Sequence, residues 1–259
     1  MKRWLWWLIL AAIPCAWSAD LDHSAWDALL KRYMNGQHLL DYTAWKGSGL
    51  VELDAYLARA AAPWPADLSP QSRKAALINT YNSLTVRWIL SNYPVVSIWR
   101  THHPFTDARH RMDGRTVSLD AIETELRNMG DPRIHSALVC AARSCPPLRR
   151  EAYLGGKVEE QLDANVREWL SMPDRNEFNP EQKKATVSMI FDWYKADFEK
   201  GGGSVEAFLA KHSPAAQFLL DRKATIKYQP YHWGLNDSSG LGSDYSSVQF
   251  YWDYLRNKG

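Results

Sequence analysis

Apolar positions between residues 24 and 92 recur every three or four residues, which is the repeat of a helix with one buried face. Trp26, Leu29, Leu30 and Tyr33 share one side of a helix predicted over Ala25–Met34, with Ser24 as its expected N-cap. Leu50–Ala60 repeats the pattern. Ser69-Pro70 then opens a long helix, since proline suits the first helical position, and Asn92-Tyr93-Pro94 closes it. Along it Leu77, Tyr81, Leu84 and Trp88 form one stripe, widened by Ile78 and Ile89. Asn82 falls between Val86 and Ile89 on this wheel and is expected to be buried. A buried amide needs hydrogen-bond partners, so Asn82 either pins the backbone of a neighbouring loop or orients a catalytic partner.

After residue 92 the periodicity becomes mixed. Asp113-Gly114 between extended flanks is a hairpin signal. Leu119–Met129 reads as a helix, Arg133–Val139 as a buried strand, and Lys157–Leu170 as an amphipathic helix with Val158, Leu162, Val166 and Leu170 on one side. Lys184–Ile190 and Thr225–Tyr228 read as strands, and Ser204–Leu209 as the start of a helix. Helices outnumber strands, and no regular helical crossovers separate the strands. The expected fold is therefore a single helix-rich α+β domain with a small, mostly antiparallel sheet. Residues 236–244 are polar and read as a linker to an aromatic tail, Phe250–Leu255, that docks on the body or binds a partner.

The first residues change the picture of where this domain works. Lys2 and Arg3 precede an apolar run, Trp4–Ile13, that is too short to span a bilayer. Ala16-Trp17-Ser18 resembles a small-residue cleavage site, so 1–18 reads as a signal peptide and the chain as periplasmic or secreted. Its loss removes two cations from a formal charge of +2, leaving a neutral chain with no basic patch for nucleic acid and no later membrane span. Two cysteines then remain, Cys140 and Cys145. In an exported chain an even pair has to be considered for oxidation.

The stretch IHSALVCAARSCPPLR (134–149) concentrates the candidate chemistry. If 133–140 is one strand, Ile134, Ser136, Leu138 and Cys140 face one way while His135 faces the other. Cys140 is then the more buried thiol at the end of a core strand. Pro146 keeps Cys145 extended in a more exposed turn. A turn over 141–144 can set Cys140 under backbone N–H groups near Arg143 and lower its pKa, or bring the two cysteines within bridging distance. No second ligand pair completes a zinc site, and the histidines of 101–110 have no partner motif, so neither metal nor cofactor is expected. His232, Asp192 and Asp197 lie in aromatic blocks that follow predicted strands.

Five blocks, Leu77–Leu84, Ser118–Glu123, Arg133–Arg149, Phe191–Phe198 and Tyr231–Asn236, together resemble the domain of unknown function 547 (DUF547) family over 22–236, in an exported bacterial form. The resemblance implies no settled activity. It implies that cysteine recurs at position 140, whereas relatives carry serine at position 145. Two departures stand out: Thr124 where relatives often have histidine after Ile122-Glu123, and His232 where they often have aspartate. If that missing histidine is a base, His232 or His135 has to replace it.

Three readings stay open. One is an exported thiol-dependent hydrolase or transferase, with Cys140 as nucleophile, His135 or His232 as base, and Asn82 or Glu123 as orienter. The second is a non-catalytic module binding a small molecule or protein partner through its aromatic blocks. The third is a structural domain bridged by a disulfide. The N-terminal reading carries its own test: the exported protein should begin near Ala19, and a mass spectrum retaining Met1–Ser18 rejects it.

Overall fold

The computed structural model describes residues 20–257, so the expected signal segment 1–18 lies outside the described residues. Helix α1 (Ser24–Tyr33) starts one residue earlier than its pattern suggests, with His23 rather than Ser24 at the N-cap. Asp22 Oδ1 accepts the Ser24 N–H at 2.9 Å and takes over the capping role. Helices α2 (Tyr42–Ser48) and α3 (Leu50–Ala61) pack beside it. Trp26 meets Trp45 and Tyr56 in an aromatic cluster with centroids 5.9 and 6.1 Å apart.

Helix α4 (Pro70–Asn92) has the expected ends: Ser69 Oγ accepts the Ser72 N–H at 3.0 Å, and Pro70 stands in the first turn. It is buried nearly all round, so it forms the spine of the domain. A hairpin of β1 (His110–Met112) and β2 (Arg115–Val117) turns through Asp113 and Gly114, both at positive φ. Helix α5 (Leu119–Asn128) follows, capped by Ser118.

The segment expected as a strand over 133–139 is instead a 3-10 helix, Pro132–Ser136, followed by extended chain. Asp131 Oδ1 caps the Arg133 N–H, and Pro132 presets the first turn. The extended part finds side-chain amides where a strand would find a neighbouring strand. Asn82 Nδ2 donates to the Ala137 carbonyl, and the Val139 N–H donates to Asn82 Oδ1, both at 2.9 Å. Asn165 Nδ2, from helix α6 (Val158–Ser171), donates to the Ser136 carbonyl.

A three-stranded sheet pairs β3 (Glu177–Asn179) antiparallel to β4 (Lys184–Ser188), and β4 parallel to β5 (Thr225–Gln229). Short helices α7 (Ile190–Trp193), α8 (Lys195–Gly202) and α9 (Val205–His212) pack against α6 and this sheet through Trp169, Phe191 and Phe198. With β1–β2, this is the helix-rich α+β architecture expected, and antiparallel pairing prevails.

The polar stretch 236–244 is packed against the body. Asp237 is buried and accepts the Tyr93 hydroxyl at 2.8 Å. It leads to α10 (Ser247–Asn257), which seats Phe250 and Tyr254 on Trp99. Buried Asp253 anchors this helix, pairing with Arg100 and accepting the Tyr245 hydroxyl. Among the described residues no helix is long and apolar enough to cross a membrane.

Replacing Asn82 with alanine orphans both the Ala137 carbonyl and the Val139 N–H in a dry interior. Asn82→Ala should cost on the order of 1–3 kcal/mol. For a domain of this size, each kcal/mol lowers the melting temperature by about 2–4 °C. A melting temperature equal to that of the parent chain rejects the clamp.

Candidate functional site

The extended chain leaving the Asn82 clamp delivers Cys140 to the wall of a cavity of about 450 Å³. The turn that follows is fixed from several sides. Ala141 sits at φ +63°, a left-handed conformation that a non-glycine residue adopts at a cost of about 1–2 kcal/mol. Around it, the Asn236 N–H donates to the Ala141 carbonyl and the Arg143 N–H to the Gly234 carbonyl. Arg175 donates through Nε to the Cys145 carbonyl and through Nη2 to the Arg143 carbonyl. The neighbouring strand-like segment and Arg175 together hold a backbone that would otherwise relax, as is common where strain serves a site.

This turn lays the two thiols side by side. Both cysteines are free, with their sulfurs 3.0 Å apart. The Cys140 N–H donates to Cys145 Sγ at 3.2 Å, the Tyr231 hydroxyl donates to the same sulfur at 3.3 Å, and Tyr231 Oη is 3.6 Å from Cys140 Sγ. The expected order of burial is reversed: Cys145 is 3% exposed, whereas Cys140 is half-buried and lines the cavity. The cause is the loss of the strand. Without its alternation, Cys140 turns toward the cavity and the turn tucks Cys145 behind it.

The two thiols differ electrically as well. Burial pushes Cys145 up, but hydrogen bonds from the Cys140 thiol, the Tyr231 hydroxyl and the Ala142 and Cys140 N–H groups outweigh it, so Cys145 lies below its ordinary value. Cys140, donating to Cys145 and buried, is raised well above its own. Of the two, Cys140 holds its proton more tightly and Cys145 gives its proton up more readily.

Glu123 and Asp120, both on α5, share the cavity, and burial raises both carboxyls. A hydrogen bond with Tyr194 partly offsets the effect at Glu123. His135 borders the cavity too, stacked on Tyr194 with centroids 4.0 Å apart. Its Nε2 is 2.9 Å from Asp197 Oδ2, which also accepts from Arg127. Burial lowers the His135 pKa to about 4, the Asp197 contact opposing it. A neutral imidazole next to a carboxylate carries its proton on Nε2 and its lone pair on Nδ1.

His232 stands apart from the cavity lining. Its Nε2 meets the Ser243 carbonyl at 3.0 Å and its Nδ1 accepts the Gly234 N–H at 3.1 Å, so it staples a turn. Asn82 likewise touches the backbone before the cysteines and not the sulfurs. Of the candidates named from sequence, Cys140, Glu123 and His135 thus meet at one cavity, Asn82 supports it from behind, and His232 is elsewhere. Among the described residues, the hydrogen-bonding neighbours of Cys140 Sγ are Cys145, Tyr231 and the Ala142 N–H, and no histidine is among them. Thr124 lines a polar cleft on the far side of His135, together with Arg127 and Asp197. His135, unlike His232, therefore shares surroundings with position 124.

Sequence reasoning missed Cys145 as the charged partner and Tyr231 as the donor to it. Tyr231 lay in a block whose aromatics read as core, and nothing in its spacing distinguishes a donor from a packing ring. The tail residues Phe250 and Tyr254 were expected to dock on the body but not at the site, and with Trp99 and Trp233 they close one side of the cavity. The loop 101–110 is tied up by its own contacts. His110 is buried edge-on to Trp88, and Asp107 pairs with Arg109. Among the described residues, no group of three or more His, Cys, Asp or Glu side chains converges as a metal site.

Residues 65–170 match the family model described as Protein of unknown function, DUF547. The match supports the resemblance seen in the blocks at 77–84, 118–123 and 133–149, while those at 191–198 and 231–236 lie outside it. No curated protein and no solved structure matches the chain. The matched segment thus supplies Tyr81, Glu123, His135 and Cys140 to the cavity and Cys145 behind it, while Ile190, Trp193, Tyr194, Tyr231, Trp233, Phe250 and Tyr254 come from later residues.

Three buried histidines, His23, His110 and His135, have pKa values lowered to about 4, in each case chiefly by burial. In the unfolded chain they protonate near about 6.5. Between these values the unfolded state binds more protons, so stability is full above the upper value and falls as pH drops toward about 4. Thermal unfolding followed through this window should show a steadily falling melting temperature. A flat profile contradicts the burial of these rings in neutral form.

Proposed function

We propose that the cavity is the active site of a thiol-dependent hydrolase or transferase acting on an aromatic or other apolar acyl substrate, with Cys140 as nucleophile. The observation carrying this reading is that Cys140 Sγ lines an aromatic cavity while lying 3.0 Å from Cys145 Sγ, the sulfur to which it gives its proton. Cys145 replaces the histidine of the usual thiol–imidazole pair as proton acceptor. Tyr231, held protonated by burial and the two sulfurs, steadies the charge that Cys145 carries.

In the first step the Cys140 sulfur attacks the carbonyl carbon as its proton passes to Cys145. The proton then leaves with the departing alkoxide or thiolate, and an acyl-thioester remains on Cys140. Water or an acceptor in the cavity releases the acyl group. Glu123, whose raised pKa favours the protonated carboxyl, is the donor for oxygen charge that develops during attack. Aromatic side chains, Trp193, Tyr194 and Trp233 among them, supply an apolar, shape-selective wall.

Export belongs to the same proposal, in the periplasm or outside the cell. The basic start, the short apolar run and the small-residue end of 1–18 support it. A second reading, a binding module without catalysis, is favoured by the number of aromatic rings around the cavity and by the distance of any histidine from Cys140.

Chromogenic esters and thioesters of aromatic acids, presented to the reduced protein, separate the two. Cys140→Ala should remove turnover, and Cys145→Ala should lower it by about 10²–10⁴-fold, as expected for loss of a proton acceptor. His232→Ala should leave turnover near the parent value. Undiminished turnover in Cys140→Ala rejects the nucleophile. Binding of the acids without turnover by the parent chain favours the module.

A further inference from the structure

The two sulfurs are unequal in access as well as charge. Cys140 faces a cavity whose rim includes Trp193, itself 47% exposed, so the opening reaches solvent. Cys145 lies directly behind, 3% exposed and 3.0 Å away. Around the pair Tyr231, Trp193 and Trp233 form a triangle of rings with centroids 4.6–5.7 Å apart. An outer thiol that ligands can reach, backed by an inner sulfur in contact with it, is the arrangement of an attacking and a resolving cysteine.

We propose that Cys140 and Cys145 are a dithiol–disulfide couple that reduces small disulfides bearing an aromatic or apolar group. In the first step Cys140 Sγ attacks one sulfur of the ligand disulfide. The ligand's sulfur–sulfur bond breaks, a mixed disulfide forms on Cys140, and the proton from Cys140 leaves with the first ligand thiol. In the second, Cys145 Sγ attacks Cys140 Sγ as the thiolate, the mixed disulfide breaks, and the second ligand sulfur departs as a thiolate that takes its proton from water. The ligand disulfide is reduced to two thiols, and the protein dithiol is oxidised to one disulfide. The sulfurs need to close from 3.0 Å to about 2.0 Å, a movement of about 1 Å.

This couple does not rest on the acyl-transfer reading, because it uses only the two sulfurs and the route to Cys140.

The test uses the reduced full chain with Cys15→Ser in every arm, and 4,4′-dithiodipyridine as a neutral aromatic disulfide. With both cysteines present, each chain should release two thiopyridone molecules and end lighter by two hydrogens, without an adduct. Cys145→Ser should release one and keep a stable mixed disulfide on Cys140. Cys140→Ser should react more than about tenfold more slowly, because access governs the rate. The first arm decides even if a variant fails to fold. A persistent adduct on the chain with both cysteines, or release from Cys140→Ser as fast as from that chain, overturns the proposal. Ester turnover by the reduced protein is read separately, so either reading can fail while the other stands.

Discussion

Everything at the cavity depends on one buried amide. Asn82 stands on the spine helix, 2% exposed, and exchanges two hydrogen bonds with the chain just before Cys140. The partners are a carbonyl and an N–H two residues apart, which is how a neighbouring strand would read the same edge. A side chain thus substitutes for a strand. Asn79 does the same three residues earlier, clamping the N–H and carbonyl of Tyr153. Because these residues lie three apart on one helix, they face nearly the same way, and one rigid element fixes both ends of the 137–153 segment. The irregular backbone between can then adopt a left-handed alanine and a tight pair of sulfurs without losing its place.

The second constraint is the burial of the inner sulfur, Cys145, behind Cys140. In a dry site, a few N–H and O–H groups decide where charge resides. More of them act on Cys145 than on Cys140, which faces the ligand space with its pKa raised. The arrangement inverts the habit of thiol sites in which the exposed sulfur is the anion. Here the outer sulfur holds its proton more tightly than the inner one, 3.0 Å away.

How far the sequence reveals this differs from element to element. The spine helix was legible at both ends because Ser69-Pro70 and Tyr93-Pro94 are strong local signals. The β1–β2 turn was legible because Asp113-Gly114 tolerates positive φ. Asn82 was legible because a polar residue on an apolar arc must find partners. The segment 133–139 was not: its alternation suits a strand, and only tertiary contacts from Asn82 and Asn165 show that the backbone is satisfied otherwise. That single misreading inverted the burial of the two cysteines and set His135 on the wrong side. The role of His232 was hidden for another reason, since a ring that staples a turn and a ring that moves protons have the same sequence.

The placement of α10 across the cavity gives this chain a division of labour along its length. The two cysteines, His135 and the acidic side chains Asp120 and Glu123 come from 120–145, whereas most of the aromatic lining comes from 190–254. Phe250 and Tyr254 reach the cavity from a helix pinned by Asp253 and Asn257, far in sequence from the sulfurs. Substitutions in those late aromatics can reshape what fits without disturbing the amide clamp, the turn at Ala141 or the proton between the thiols. Apart from Tyr231, which touches both sulfurs, the sulfur pair and the aromatic wall are therefore encoded on separate stretches.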